Sequence, residues 1–233
     1  MRSPAHVWGK SMWRDALVVA GKDLRVEARS RVATNQVVPF ALLVLVLFAF
    51  ALGPDRRVLS QAAAGLLWVA VLFSAVLAVQ RSFALEAADS ARDGLRLSGL
   101  DPAGIFLGKA GAVAAQLLVL EVILAGAAVV LYDAHLHGGL MLVATCLAAT
   151  VGLAAAGTVY AAMAAGLRVR ETLLPLLLMP VVAPVLLAAT KAWQAGLAGV
   201  PAKGEPWLQL LAVFAVVYVT LGLLTFGALL EES

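Results

Sequence analysis

Long apolar segments without a charged residue dominate the sequence. Five segments carry no Lys, Arg, Asp or Glu, and a sixth carries a single acid, Glu121. A helix needs roughly 20 apolar residues to cross the hydrocarbon core of a bilayer. The runs are continuous rather than alternating, which excludes a membrane β-barrel. The uncharged segments are 32–54, 58–80, 134–167, 172–190 and 206–230, and the sixth is 110–132.

These segments predict an all-α integral membrane protein with six transmembrane helices in one domain. Only 13% of the residues are charged, about half of the fraction of roughly 25% that soluble domains carry. We find no internal repeat and no low-complexity linker. The predicted spans are about 33–54, 60–80, 105–131, 140–165, 172–190 and 207–230, with a cytoplasmic loop at 81–104.

The distribution of Lys and Arg predicts the orientation. Thirteen of the 17 basic residues lie in the N-terminal segment and in the loops that follow spans two and four, whereas four lie in the opposite connections. Basic residues concentrate on the cytoplasmic side of membrane proteins. We therefore expect a multi-pass membrane protein with both termini in the cytoplasm and no cleaved signal peptide.

The segment 10–31 has the pattern of an amphipathic helix that precedes the first span. Such a basic, Trp-bearing helix is expected to lie in the inner interface near anionic lipid, and an ordinary cytosolic packing helix is the alternative. Its apolar face carries Trp13, Leu17, Ala20, Leu24 and Ala28, and its basic face carries Arg14, Lys22, Arg25 and Arg29.

Span five and the segment after it are unusual in composition. Pro175, Pro180 and Pro184 each remove a backbone hydrogen bond, so they predict a kinked or broken helix. The segment 191–207 contains Gly and Pro, with Trp193 and Trp207 near its ends. It is predicted to lie at the outer interface, anchored by tryptophan.

Small residues at four-residue spacing are expected to allow helices to approach closely. One such set enters span three and the other lies in span four. The residues are Gly104, Gly108 and Ala112, then Ala148, Gly152 and Ala156.

Few polar side chains are candidates for chemistry. Glu121 is an acid at membrane depth, so a functional role and an interhelical hydrogen bond are both open. His135 and His137 form a His-x-His pattern that is able to ligate a metal or haem iron, with a polar turn as the alternative. Cys146 is expected to be a small buried hydrophobe without a disulfide. No other metal site is expected.

No catalytic constellation is present in the sequence. The fragments "PAHVWGKS" and "GIFLGKA" resemble a phosphate-binding loop, but the first has Pro4 in place of the first glycine and the second is one residue short. We therefore predict a noncatalytic chain that does not hydrolyse nucleotide itself.

Eight charged residues are concentrated in the segment 80–109, between two apolar runs. This segment and several others resemble the haem exporter protein B family, the membrane subunit of the ABC-type cytochrome c maturation complex. The resemblance rests on "LLWVAVLFSAVLAVQRSF" from Leu66, "EAADSARDGLRLSGLDPAGIFLGK" from Glu86 and "LPLLLMPVVAPVLLAAT" from Leu174. The segments "KDLRVEARSR" and "LGPD" also fit, so the resemblance covers nearly the whole chain.

The resemblance implies an ABC-2-type exporter permease fold and a set of partners. The partners are a separate ABC ATPase that binds ATP, other cytochrome c maturation membrane proteins and a haem chaperone, with a second copy of the chain because such ATPases work in pairs. Haem is the transported or handled ligand, no cofactor is bound covalently, and no nucleic acid is involved. The residues expected to couple to the ATPase are Arg81, Glu86, Asp89, Arg92, Asp93 and Arg96.

Alternative functions follow from the same sequence. Family members either export haem or drive release of a haem-loaded chaperone, and the residues do not distinguish these. A self-sufficient proton-coupled carrier that uses Glu121 is a second class of function. An ABC-type exporter permease for lipid or drug, with the same fold and another pathway, is a third.

Overall fold

A computed structural model of the protein describes residues 5–30, 33–53, 55–88, 99–134, 136–164 and 170–232. Within these ranges, side chains are described except those of residues 5–11, 33–34, 56–57, 85–88, 170–171 and 231–232. The described chain is helical and contains no strand, which confirms the all-α prediction. Its α-helices are α1 (Ala5–Ser30), α2 (Val38–Ala51), α3 (Arg56–Ala88), α4 (Pro102–Tyr132), α5 (Gly139–Ala164), α6 (Arg170–Leu197) and α7 (Glu205–Glu232).

Two short helices of other types join these elements. A π-helix, Ala33–Val37, leads directly into α2, and a 3₁₀-helix, Pro201–Lys203, precedes α7. The start of α4 follows from its sequence, because the side chain of Asp101 accepts a hydrogen bond of 2.9 Å from the backbone N–H of Ala103. Pro102 then occupies the first turn, where its missing N–H costs nothing.

The helices α3 to α7 are each long and apolar enough to cross a membrane. The first predicted span, 33–54, is different, because α2 has only 14 residues and reaches about 21 Å at 1.5 Å per residue. It lies at a bend of 55° from α1, and a sixth crossing is obtained only when this bent pair is counted as one. The chain therefore has five long membrane helices and a shorter sixth element.

Several predicted boundaries differ from the observed ones. The loop predicted at 81–104 is shorter, since α3 continues to Ala88 and α4 begins at Pro102. The helix α6 runs without interruption from Arg170 to Leu197 through its three prolines, so the expectation of a broken helix is wrong. A kink at these prolines stays a prediction.

The main core is built around α3, with α4, α5 and α6 packed against it. Trp68 of α3 and Trp193 of α6 are buried and meet edge to face, with ring centroids 6.0 Å apart. Trp193 therefore belongs to the core, and the prediction that it anchors the chain in the outer interface is wrong. It is buried because α6 continues beyond the predicted end of span five.

The helix α5 is closely surrounded by neighbouring helices. Residues 152–159 are buried without exception. A Cβ added at Gly152 would lie 2.8 Å from the ring of Phe214 in α7, and one added at Gly157 would lie 2.8 Å from Val79 in α3. The small-residue spacing predicted for span four thus marks the place where α7 approaches α5.

Candidate functional site

The predicted coupling residues lie at the end of α3 and in the connection to α4. Asp89, Arg92, Asp93 and Arg96 are outside the described residues, and the side chain of Glu86 is outside them as well. Arg81 lies on α3 and is partly buried. The described structure therefore defines the two helices that flank the loop, and the side-chain position of one of the six predicted residues.

The helix α1 presents three different faces. At 100° per residue, its predicted apolar face, its basic face and a third face are each separated by about 120°. Trp13 and Leu17 of the apolar face are 61% and 74% exposed, whereas Leu24 and Ala28, further along the same face, line a groove together with residues of α3 and α4. The third face packs on α4 and α3. It carries three acids and two small residues, namely Asp15, Asp23, Glu27, Ala16 and Val19.

Two glycines of α4 allow the backbone of α1 to approach closely. A Cβ added at Gly104 would lie 2.8 Å from the carbonyl oxygen of Met12, and one added at Gly108 would lie 2.7 Å from that of Ala16. Asp15 is buried beside them and its carboxylate accepts a hydrogen bond of 3.1 Å from the backbone N–H of Asp101. The small residues predicted at the start of span three are therefore the site at which α1 packs closely on α4.

A polar cluster joins α1 to both α3 and α4, and we call Asp23, Ser82 and Lys109 the three-helix cluster. The ammonium of Lys109 lies 3.5 Å from Oδ2 of Asp23 and 3.4 Å from the hydroxyl of Ser82. It also lies 4.7 Å from the centre of the Phe83 ring. Lys109 is 1% exposed, so its charge is stabilised by these neighbours rather than by water.

One turn further along α1, a second ion pair connects it to α3. Oε2 of Glu27 lies 3.0 Å from Nε of Arg81, and the Glu27 side chain is 12% exposed. Arg81 and Ser82 are adjacent in sequence, so α1 contacts the same turn of α3 through both pairs. These two pairs hold α1 to the helices that flank the predicted coupling loop.

A lateral groove of about 1080 Å³ lies beside the Glu27–Arg81 pair. Four polar side chains line it near α1, namely Glu27, Gln36, Gln80 and Arg81. Its apolar wall is formed mainly by Phe40, Leu77, Val119 and Ile123, all partly or largely exposed. The groove is thus amphipathic, with charged groups on one part of its surface.

Glu121 does not line this groove. It is 2% exposed, and its carboxylate accepts a hydrogen bond from the hydroxyl of Thr150 in α5. The thiol of Cys146 also lies beside it. Oε2 is buried and has no hydrogen-bond partner in the described part of the chain. The arrangement ties α4 to α5, and a further role of the charge stays a prediction.

The predicted His-x-His site is not assembled by the described residues. His135 lies outside them, and Nδ1 of His137 lies 3.3 Å from the backbone carbonyl oxygen of Leu197. The described ranges contain no group of three His, Cys, Asp or Glu side chains that could hold a metal ion. Pro180 and Pro184 are exposed on the outside of the bundle, whereas Pro175 is partly buried.

The sequence reasoning missed Asp23, Glu27, Ser82 and Lys109. The acids of α1 lie between its apolar and basic faces, and neither of these predicted faces includes them. One signal was available, because Asp23 and Glu27 are four residues apart and share a helix face with Ala16 and Val19. Their partners are separated by 54 to 86 residues and could not be identified from this spacing.

Comparisons with known proteins give a consistent result. A family model described as CcmB protein matches residues 14–233. The chain is 35% identical to Heme exporter protein B of Paracoccus denitrificans over 210 residues, which are 89% of this chain and 93% of that protein. It is 31% identical to Heme exporter protein B of Haemophilus influenzae over 220 residues, 93% of this chain and 97% of that protein.

Proposed function

The chain belongs to the CcmB protein family, and from this premise we propose that it is the membrane-spanning subunit of an ABC-type complex for haem export in c-type cytochrome maturation. The agreement of relatives named Heme exporter protein B with nearly the full length of this chain carries the proposal. The five long apolar helices agree with a multi-pass membrane subunit.

The energy for the cycle is proposed to come from a separate ATPase subunit. The sequence contains no phosphate-binding loop, and the chain is therefore assigned a noncatalytic role. The end of α3 and its connection to α4 are proposed to bind the ATPase through Glu86, Asp89, Arg92, Asp93 and Arg96. Closure of a pair of ATPases would push this connection, and two copies of the chain would then match the two ATPases.

The contacts of α1 support a path for this movement. The Glu27–Arg81 pair and the three-helix cluster attach α1 to the ends of α3 and α4 that flank the connection. A displacement of these ends would move α1 with them as a packed unit. The bias of Lys and Arg places this end, and both termini, in the cytoplasm of a bacterial inner membrane in this proposal.

Haem is proposed as the handled ligand, and a haem chaperone and other maturation proteins as further partners. The alternative of a proton-coupled carrier receives less support, because Glu121 contacts Thr150 inside the bundle and does not line the groove. An exporter permease for lipid or drug would share the fold, and identification of the co-purified partners separates it from the present proposal.

Reversal of three loop charges tests the proposed ATPase contact. The variant D89K/R92E/D93K changes no membrane span, so it should insert normally and lose the ATPase in a pull-down from mild detergent. A haem stain should then show loss of c-type cytochromes. The matched control is K191E/K203E, which reverses exposed charges near the other ends of α6 and α7 and should retain the ATPase. Full recovery of the ATPase by the loop variant contradicts the proposal.

A further inference from the structure

We propose that the lateral groove binds one membrane phospholipid whose head group carries both a phosphate and a protonated amine. The phosphate would contact Arg81 and the amine would contact Glu27. The acyl chains would lie along the wall of Phe40, Leu77, Val119 and Ile123. This site goes beyond haem export. With the proposed orientation, its charged end lies on the cytoplasmic side, so the phospholipid would come from the inner leaflet.

The shape and polarity of the groove fit an amphiphile that lies along α3. From Arg81 to Ser74, both on the groove surface, α3 advances about 10 Å at 1.5 Å per residue. Leu77 lies between them and is 43% exposed, and Val119 on the facing helix α4 is 64% exposed. Exposed apolar side chains in a membrane are covered by acyl chains. The groove would therefore hold acyl chains along its apolar wall, next to the Glu27–Arg81 pair.

The charges of the groove fit a zwitterionic head group. Glu27 and Arg81 are the charged residues among its described lining, and together they carry no net charge. A guanidinium offers five N–H donors and a carboxylate accepts several hydrogen bonds, so both retain capacity for a ligand. A phosphate on Arg81 and an ammonium on Glu27 keep the groove neutral. A ligand with two negative charges would leave both of them uncompensated in a medium of low dielectric constant, because the lining itself is neutral.

The same lining does not suit ligated haem. Haem iron in proteins is held by His, Cys, Met or Tyr side chains. None of these residue types is among the described residues that line the groove. Haem carries two propionates, whereas the described lining holds one cationic side chain and one carboxylate, so two propionates would leave the groove with a net negative charge. We therefore assign the groove to a phospholipid.

The position of the head group links this site to α1. Asp23 and Glu27 lie one turn apart on α1, and the three-helix cluster holds that turn against α3. A phospholipid bound to both Glu27 and Arg81 would bridge α1 and α3 as a third connection. Its presence would add to the contacts that hold α1 in place.

Lipid retention by the purified complex tests this proposal. The complex is isolated in mild detergent and incubated separately with one of three probes: phosphatidylethanolamine, phosphatidylglycerol or free haem. Native mass spectrometry then measures the lipid that remains bound, and absorbance measures bound haem. Phosphatidylethanolamine should remain at about one molecule per chain. The variant L77W fills the groove and should reduce retention at least about fivefold, and R81Q should reduce it similarly.

The control V130W places the same side chain at a position of α4 that is 82% exposed and outside the groove lining, so it should retain the lipid. Thermal unfolding verifies that each variant is folded, and direct titration of wild type with short-chain phosphatidylethanolamine gives a second measurement that needs no variant. Equal retention of phosphatidylglycerol, retention unaffected by L77W, or haem in place of lipid would overturn the proposal. Cytochrome c maturation is scored separately by haem stain, so failure of the lipid site is distinguishable from failure of the proposed export function.

Discussion

Lys109 of α4 and Asp23 of α1 form a buried ion pair with Nζ and Oδ2 3.5 Å apart. The Lys109 side chain is 2% exposed and that of Asp23 is 12% exposed. The two residues are separated by 86 positions in sequence. Their pairing places the N-terminal helix against the start of a membrane helix, next to the connection proposed to bind the ATPase.

Removal of one partner should destabilise the protein more than removal of both. D23N removes the carboxylate that lies 3.5 Å from the buried ammonium of Lys109 and should cost on the order of 3 kcal/mol, because the buried cation keeps its charge and loses its anionic partner. The double variant D23N/K109M should recover part of that loss, and a double-mutant cycle on thermal unfolding in detergent measures the coupling. A cost of the double variant equal to the sum of the two single costs would mean that the two charges do not interact.

Gly108 should not accept a side chain. A Cβ at this position would lie 2.6 Å from Cβ of Val19 and 2.7 Å from the carbonyl oxygen of Ala16, so G108A forces α1 away from α4. We expect a loss of about 1–3 kcal/mol and faster proteolysis of α1. Gly111 on the same helix has nothing within 4 Å of its added Cβ. G111A should therefore be neutral or slightly stabilising, and a loss as large as that of G108A would argue against close packing of α1.

Replacement of the Glu121 carboxylate by an amide should leave folding intact and reduce cytochrome c maturation. E121Q keeps the size of the side chain and its hydrogen bond with Thr150, so the protein should insert and assemble with its partners. If the charge or proton of Glu121 is used, the haem stain for c-type cytochromes should fall. The control T150S keeps the hydroxyl and should leave the stain unchanged. A normal stain with E121Q would limit Glu121 to a structural contact.

The orientation can be measured with truncated reporter fusions. A fusion at Ser233 should report the cytoplasm, and a fusion after Gly138, in the connection between α4 and α5, should report the other side. The two sites are separated by three of the long membrane helices, so opposite signals are required. Identical signals at the two positions would contradict the topology.

The long apolar runs predicted most of the fold. In a bilayer every backbone polar group must be paired, so a continuous run of about 20 apolar residues specifies a helix with little dependence on its neighbours. The five long membrane helices were therefore predictable within several residues at their ends. The short first span was not, because a run of uncharged residues does not reveal that the helix bends and changes type before Val38.

What the sequence determined by itself was the class of the protein, the approximate spans and the small residues at which helices approach closely. Only the tertiary structure decided which helix occupies Gly104 and Gly108, that Trp193 packs on Trp68, and that Lys109 lies between Asp23 and Ser82. Periodicity defines the faces of a helix, whereas the partner of each face depends on packing among residues far apart in sequence. For a buried charge the identity of this partner matters most. Burial in a medium of low dielectric constant costs free energy, and contact with an oppositely charged group offsets that cost.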